Sequence, residues 1–394
     1  MGMFLGILFG FVVGVVLTGL FWWAFNTVVN EEALDPLADL KIQQDQLSGS
    51  EIGRHIDTLA RQYLPDHGGI AVGVIVGRES EVYGYGLTRQ DGTTPDENTL
   101  FELASAGKTF TALVLADMSL KGELALTDPI EQYLPKKVRT PKYGDRGIQL
   151  IDLASQSSGL PSLTENFHPT NPLNPYADFT VEEMYEGLGM VKIEAPIGKS
   201  YAYSNLGFGL LGHILSLETS MDYEDLVIAR ICDPLSMHST RMTLDENLKS
   251  RLAKPHDGGQ AVEVWEDTTL AGAGSFLSTP HDMLLYVQAH WDEQNPLSEA
   301  MQLATRKRRP TDAPARAIGL GWFTDSENAL DIVWHNGGAG GSRSYLAMIP
   351  DREVGVVILS NSSSTSVEEF GKKVLYLLLR HQDLNGGSKG DAVL

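Results

Sequence analysis

Phe101-Glu102-Leu103-Ala104-Ser105-Ala106-Gly107-Lys108-Thr109-Phe110-Thr111-Ala112 is the stretch on which the reading of this chain turns. An apolar lead-in delivers Ser105, Lys108 follows three residues later, and a helical run continues from Thr111 to Leu120. On a helix, positions three apart share a face, so the two side chains can touch. A serine hydroxyl becomes a useful nucleophile only when a neighbour takes its proton. A lysine does this when neutral, or when it keeps a second base deprotonated, and the sequence leaves both open. Of the fourteen lysines only Lys108 has a serine three residues earlier. The spacing alone also fits a capping serine beside a surface lysine. Gly107-Lys108-Thr109 imitates the end of a phosphate loop, but Glu102 stands where the first glycine is needed, which excludes a nucleotide cradle.

The chain has 394 residues, 42% of them hydrophobic and 21% charged, enough for a large folded body. It carries 51 acidic and 30 basic residues for a net charge of −21, which repels nucleic acid and anionic lipid headgroups, so no nucleic-acid partner is expected. Arg306-Lys307-Arg308-Arg309 reads as a solvated loop or helix end.

Met3 to Val29 contains no charge and is apolar almost throughout, long enough to cross a bilayer, with Trp22 and Trp23 near one end. A cleaved signal peptide wants a basic start, a shorter apolar core and a small-residue cleavage site, which this segment lacks. Residues 1–29 are therefore expected to be a transmembrane anchor or uncleaved signal that makes the membrane a partner, and 30–50 a polar linker. The acidic flank Glu31, Glu32 and Asp35 and the chemistry below favour a body on the exported, periplasmic or extracellular, side. The single cysteine, Cys232, allows no internal disulfide and reads as a small buried side chain. Nothing in the sequence specifies an oligomeric state.

From Glu51 to Leu64 apolar residues recur at helical spacing, and Ile70 to Val76 and Val82 to Leu87 read as a hairpin across Gly77-Arg78-Glu79-Ser80. Residues 120–315 are rich in helical patterns and Pro/Gly/Asn loops, including the irregular Asn166 to Pro175. Strand patterns return at Ile318 to Phe323, Ile332 to His335, Tyr345 to Ile349 and Val354 to Leu359, followed by an amphipathic helix from Ser366 to Arg380. The expected fold is of the α/β (α+β) type: one antiparallel sheet from 51–119 and 316–384, flanked by terminal helices, with a mostly helical lobe inserted at 120–315. Residues 385–394 read as a disordered tail. Ser105 then lies where sheet and lobe meet, the kind of inter-domain cleft where ligands bind.

Two further constellations bear on chemistry. In Tyr203-Ser204-Asn205, the only Tyr-x-Asn among thirteen tyrosines, a phenol beside an ammonium has a lowered pKa and serves as a general base if Lys108 reaches it. Asn205 can donate to a substrate carbonyl and accept from the lysine. In Trp334-His335-Asn336-Gly337-Gly338-Ala339-Gly340-Gly341, a histidine at a strand end precedes glycines that let a substrate backbone lie close.

Ser-x-x-Lys, Tyr-x-Asn and His-x-Gly in this order resemble the serine β-lactamase and penicillin-binding-protein superfamily, and within it the class C type branch with its D,D-peptidases and family VIII esterases. Leu153 to Pro161, Gly207 to Gly212, Pro234 to Met237 and Ala271 to Thr279 match the family's habits, and the likeness runs from about Ile52 to Gln382. The resemblance implies a β-lactamase/transpeptidase-like fold in which Ser105 is acylated and Lys108 and Tyr203 move its proton. It implies further that Asn205 holds the acyl side chain, that His335 and Gly337 form the third motif, and that Ser105 and Gly338 supply the oxyanion N–H groups, each worth on the order of 3 kcal/mol. One departure stands out: lactamases of this branch carry Lys-Thr-Gly where this chain has His335-Asn336-Gly337. The implied substrates are small amides and peptides, β-lactams or D-amino-acid peptides, with short-chain esters and non-catalytic peptide binding as alternatives. No cofactor is implied, and the histidines include no i, i+4 pair of the metal-binding kind.

Overall fold

Short apolar runs from the early and late parts of the chain build the main sheet in this computed structural model, which describes residues 49–89 and 92–386. The expected anchor at 1–29 and most of the expected linker and tail lie outside the described residues. Among the described residues no helix is long and apolar enough to cross a membrane.

The eight-stranded antiparallel sheet consists of β1 (Gly69–Val76), β2 (Glu79–Gly86), β3 (Arg309–Pro310), β4 (Arg316–Ile318), β5 (Phe323–Glu327), β6 (Leu330–Gly338), β7 (Arg343–Ile349) and β8 (Val354–Ser360). Their order across the sheet is β2-β1-β8-β7-β6-β5-β4-β3. The join between the two chain ends is the β1/β8 pair, in register from Ile70 opposite Ser360 to Val76 opposite Val354. Every residue of β8 is buried, as a central strand covered on both faces requires. One face carries α1 (Gly49–Tyr63) and α5 (Val367–Gly386), clamped by the stacked rings of Tyr63 and Phe370, 4.9 Å apart. On the other lie α2 (Lys108–Leu120) and α4 (Pro280–Gln288). There Phe110 of α2 meets Phe276 and Tyr286 edge-on, with centroids 5.6 and 4.9 Å away. Helices and two-residue ladders fill most of the chain between β2 and β3, among them α3 (Asn205–Thr219).

Several expectations need correction. Ile318 to Phe323 is not a strand but the connection between β4 and β5, whose ends pair Ile318 with Phe323. Its backbone finds partners in the helices instead: Leu320 N–H donates to Ala304 O and Gly321 N–H to Ala154 O, both at 2.8 Å. Apolar Leu320 and Trp322 are buried by that contact, not by a ladder. The hairpin turn is tighter than expected, since β1 ends at Val76 and β2 begins at Glu79. Gly77 adopts φ +61°, which a two-residue turn of this hand demands. Asn336 to Gly338 belong to β6 and not to a loop. Helix α1 starts at Gly49, inside the stretch read as linker, and α5 continues to Gly386, inside the expected tail. The basic run is not simply solvated. Arg308 donates to Leu303 O at 3.2 Å, and Arg309 reaches Ser155 Oγ at 3.1 Å and the Gly198 carbonyl.

Truncating Phe110 to Ala removes a fully buried ring from the junction of α2, α4 and the sheet, and we expect a loss of about 3–5 kcal/mol. The urea midpoint should fall accordingly, with an unchanged slope.

Candidate active site

The Ser105 turn is held by backbone contacts on several sides. Phe101–Glu102 forms a two-residue ladder with Leu277–Ser278. Leu103 N–H donates to Phe276 O at 3.0 Å, and Leu103 O accepts from Ser344 Oγ of β7 at 2.6 Å. Ala104 is forced to φ +47°, a strained conformation for a residue with a Cβ, and the 3-10 turn Ala104–Gly107 leads directly into α2. Two glycines leave room for this turn. A Cβ at Gly274 would stand 2.2 Å from Ala104 O and 2.9 Å from Ser105 N, and one at Gly337 would stand 2.0 Å from Leu103 O and 3.0 Å from Ser105 N. Any side chain at either position would displace the peptide that carries Ser105.

Lys108 is wholly buried. Its Nζ lies 3.0 Å from Ser105 Oγ, 2.8 Å from Asn205 Oδ1 and 2.6 Å from Ala273 O. The ring faces of Tyr203 and Phe208, 5.0 and 5.9 Å from Nζ, replace part of its lost hydration. Removal from water nevertheless dominates and pushes the amine down to about 7, opposed by the charge of Asp267. At neutral pH a large fraction is therefore uncharged. A neutral amine has two N–H donors and one lone pair, which match Asn205 Oδ1, Ala273 O and the Ser105 hydroxyl proton without remainder.

Asn205 and Ala273 reach the amine because α3 lies against the 271–273 turn at backbone distance. A Cβ at Gly212 would stand 2.8 Å from Gly272 Cα, so both must be glycine. Thr111 of α2 ties in the same turn by donating to Gly272 O at 2.7 Å. Ser204 caps α3, with Gly207 N–H donating to its Oγ at 2.8 Å, while Ser204 N–H donates to Gln156 Oε1 at 2.7 Å. The Leu153 to Pro161 segment thus aims the preceding Tyr203, whose hydroxyl lies 2.8 Å from Ser105 Oγ.

The phenol is not the acidified group the sequence suggested. Burial drives Tyr203 up to about 12, and the ammonium expected to lower it is itself only partly charged at neutral pH. It stays protonated and donates to Ser105 Oγ.

Gly338 lies opposite Arg343 in the β6/β7 ladder, while the next pair is closed by Ala339 N–H donating to Ser342 O at 3.1 Å. Antiparallel bonding alternates, so Gly338 is at a non-bonded position and its N–H faces away from β7. His335 is buried, its Nδ1–H donates to Asn336 O at 2.6 Å, and burial, then Lys108, hold it down at about 3. It is neutral and supplies no positive charge. Asn336 points the other way, to Glu368 of α5 at 3.2 Å.

These groups open onto a cleft of about 530 Å³. Of the residues singled out by sequence, Ser105, Asn205 and Gly338 line it, whereas Lys108, Tyr203, His335 and Gly337 stand behind them. Its lining also includes residues that sequence reasoning missed, Tyr176, Trp265 and Asp267, together with Glu102, noted there only as a break in a nucleotide motif. They sit in irregular connections, where no periodicity flags them.

The family model described as Beta-lactamase matches residues 56–380. The chain belongs to the beta-lactamase family. This β-lactamase-family chain is 30% identical over 312 residues to the D-alanyl-D-alanine-carboxypeptidase/endopeptidase AmpH of Escherichia coli K12, covering 75% of this chain and 80% of that protein. It is 27% identical to a Beta-lactamase of Pseudomonas fluorescens, covering 77% and 91%. The solved Beta-lactamase/D-alanine carboxypeptidase of Yersinia pestis, complexed with citrate, superposes with a TM-score of 0.70 at 26% identity over 84% of this chain and 99% of that one. The protein is a serine hydrolase of this family, with the fold of its β-lactamase/transpeptidase-like neighbours.

With the uncharged amine of Lys108 as the base, kcat/KM of this hydrolase for an activated ester should rise with pH along a limb of unit slope centred near 7. Lys108→Arg, which stays charged, should lose about 10²–10⁴-fold. A limb centred near the ordinary lysine value of about 10.4 would contradict the buried, discharged amine.

Proposed function

We propose that the protein hydrolyses small amides and peptides through an acyl-enzyme at Ser105, with D-amino-acid peptides and β-lactams as the leading substrates. The observation that carries this reading is a single hydroxyl, Ser105 Oγ, within hydrogen-bond reach of both a discharged lysine and a protonated phenol. In this reading the neutral amine of Lys108 takes the Ser105 proton as Oγ attacks the acyl carbon. The developing oxyanion is met by the N–H groups of Ser105 and Gly338. When the carbon–nitrogen bond breaks, the leaving amine takes a proton from the Tyr203 hydroxyl, which is replenished from the Lys108 ammonium. Water then attacks the ester, its proton passing through the Lys108 amine to Ser105 Oγ as the acyl carbon–Oγ bond breaks, which releases the acid and restores Ser105. Asn205, whose Oδ1 is held by Lys108, presents its amide N–H to the acyl side chain of the substrate.

A second reading, a short-chain carboxylesterase, has one observation in its favour. His335 is uncharged where a cation would attract the carboxylate of a β-lactam or a terminal D-amino acid. An alcohol leaving group also needs less protonation than an amine. Tyr203→Phe separates the two, because the lost proton donor should lower kcat for a D-alanyl-D-alanine peptide at least 10-fold more than for a butyrate ester. A fluorescent penicillin should label the wild type and not Ser105→Ala. A kcat/KM ranking led by the ester would favour the esterase, and unchanged turnover in Ser105→Ala would end both readings.

We further propose that the uncharged run Met3 to Val29 tethers the body to a membrane, with the body on the exported side. The full chain should sediment with membranes and resist carbonate extraction, while a chain starting at residue 46 should be recovered in the soluble fraction. Full-length protein found entirely in the soluble fraction would contradict the tether.

A further inference from the structure

Part of the cleft lining has no role in the proton transfers. Next to Ser105 and Asn205 are Tyr176 and Trp265, with rings 5.5 Å apart and inclined at 57°, and the carboxylate of Asp267. Glu102 is already committed, since its Oε1 accepts from Trp265 N–H at 2.9 Å and its Oε2 from Ser342 Oγ at 2.6 Å. Asp267 is not. Its Oδ1 accepts from Leu270 N–H at 2.7 Å, the hydrogen bond this carboxyl makes among the described residues, and the residue lines the cleft. Among the described residues that line the cleft there is no lysine, arginine or histidine; burial raises the Glu102 carboxyl and pushes that of Asp267 up to about 7, so any charge the lining carries is negative and a cation beside Asp267 would favour its ionised form. A carboxylate with one such bond, beside two aromatic rings, suits an ammonium group.

We propose that Asp267, with the rings of Tyr176 and Trp265, forms a subsite for a protonated amine on the acyl side of the substrate, so that the enzyme prefers cationic acyl donors. The assignment rests on the preceding reading, in which Ser105 is acylated and Asn205 holds the acyl portion. Two kinds of donor carry such a group, an acyl residue with a free α-amine and one with an amine at the end of its side chain. Both present the same ammonium to the Asp267 carboxylate, and they differ in the reach from the scissile carbonyl. The same carboxylate bears on the base, because its charge holds the Lys108 amine higher than burial alone would.

The test uses the wild-type protein and Asp267→Asn, which keeps an Oδ1 acceptor for Leu270 and removes the charge. Matched p-nitroanilides supply the arms: D-alanyl against N-acetyl-D-alanyl, and Nα-acetyl-lysyl against Nα-acetyl-norleucyl. Wild type should favour the charged member of at least one pair by about 10- to 100-fold in kcat/KM, the worth of a hydrogen bond to a charged group. The pair that shows it identifies which amine is bound. In Asp267→Asn that ratio should collapse towards one, and the acidic limb for an uncharged ester should move to lower pH. A ratio near one in the wild type, or an equal ratio in both proteins while penicillin still labels Ser105, overturns the subsite alone. Absence of labelling and of turnover in the wild type overturns the subsite together with the reading beneath it.

Discussion

The structure depends on the burial of one amine. Lys108 sits at the start of α2 with no exposure to solvent, and its Nζ is satisfied by a serine hydroxyl, an asparagine oxygen and a backbone carbonyl. Taking an ammonium out of water costs several kcal/mol, and no carboxylate hydrogen-bonds to this one. The group meets that cost by giving up its proton, which turns it into a base. Burial and reactivity at Lys108 are therefore the same fact.

Much of the surrounding architecture keeps those three partners within reach. The sheet, assembled from both ends of the chain, carries Gly337 up against the Ser105 peptide through β6. Helix α3 brings Asn205, and the contact of Gly212 with Gly272 brings Ala273 O from the turn beside it. Tyr203 arrives on the loop that Gln156 and Ser204 fix in place. The strained Ala104 fits this picture, since a nucleophile placed by contacts from several directions leaves its backbone little choice.

How much of this is legible in the sequence varies with the range of the interactions. The terminal strands and helices appear as local apolar patterns, and Ser105 and Lys108 are joined by one turn of helix, so their spacing announces the contact. Tyr-x-Asn is visible as a pattern, yet the state of the Tyr203 phenol is not, because it depends on burial by residues distant in the chain. The same limit explains Ile318 to Phe323, where an apolar run looks like a strand but bonds to Ala154 O and Ala304 O. It also explains Asn336 to Gly338, which read as a glycine loop and are held in β6 by Arg343, Ser344 and Tyr345 of β7. Asp267, Trp265 and Tyr176 were invisible for a plainer reason: they sit in irregular connections that become one wall only when the chain is folded.

The most direct test of the discharged amine is to observe it. The protein can be prepared with ¹³Cε-labelled lysine and the Lys108 resonance, assigned by its loss in Lys108→Arg, followed through a pH titration. A midpoint near 7 is the expected result. A Lys108 midpoint near the ordinary lysine value of about 10.4 would contradict the account.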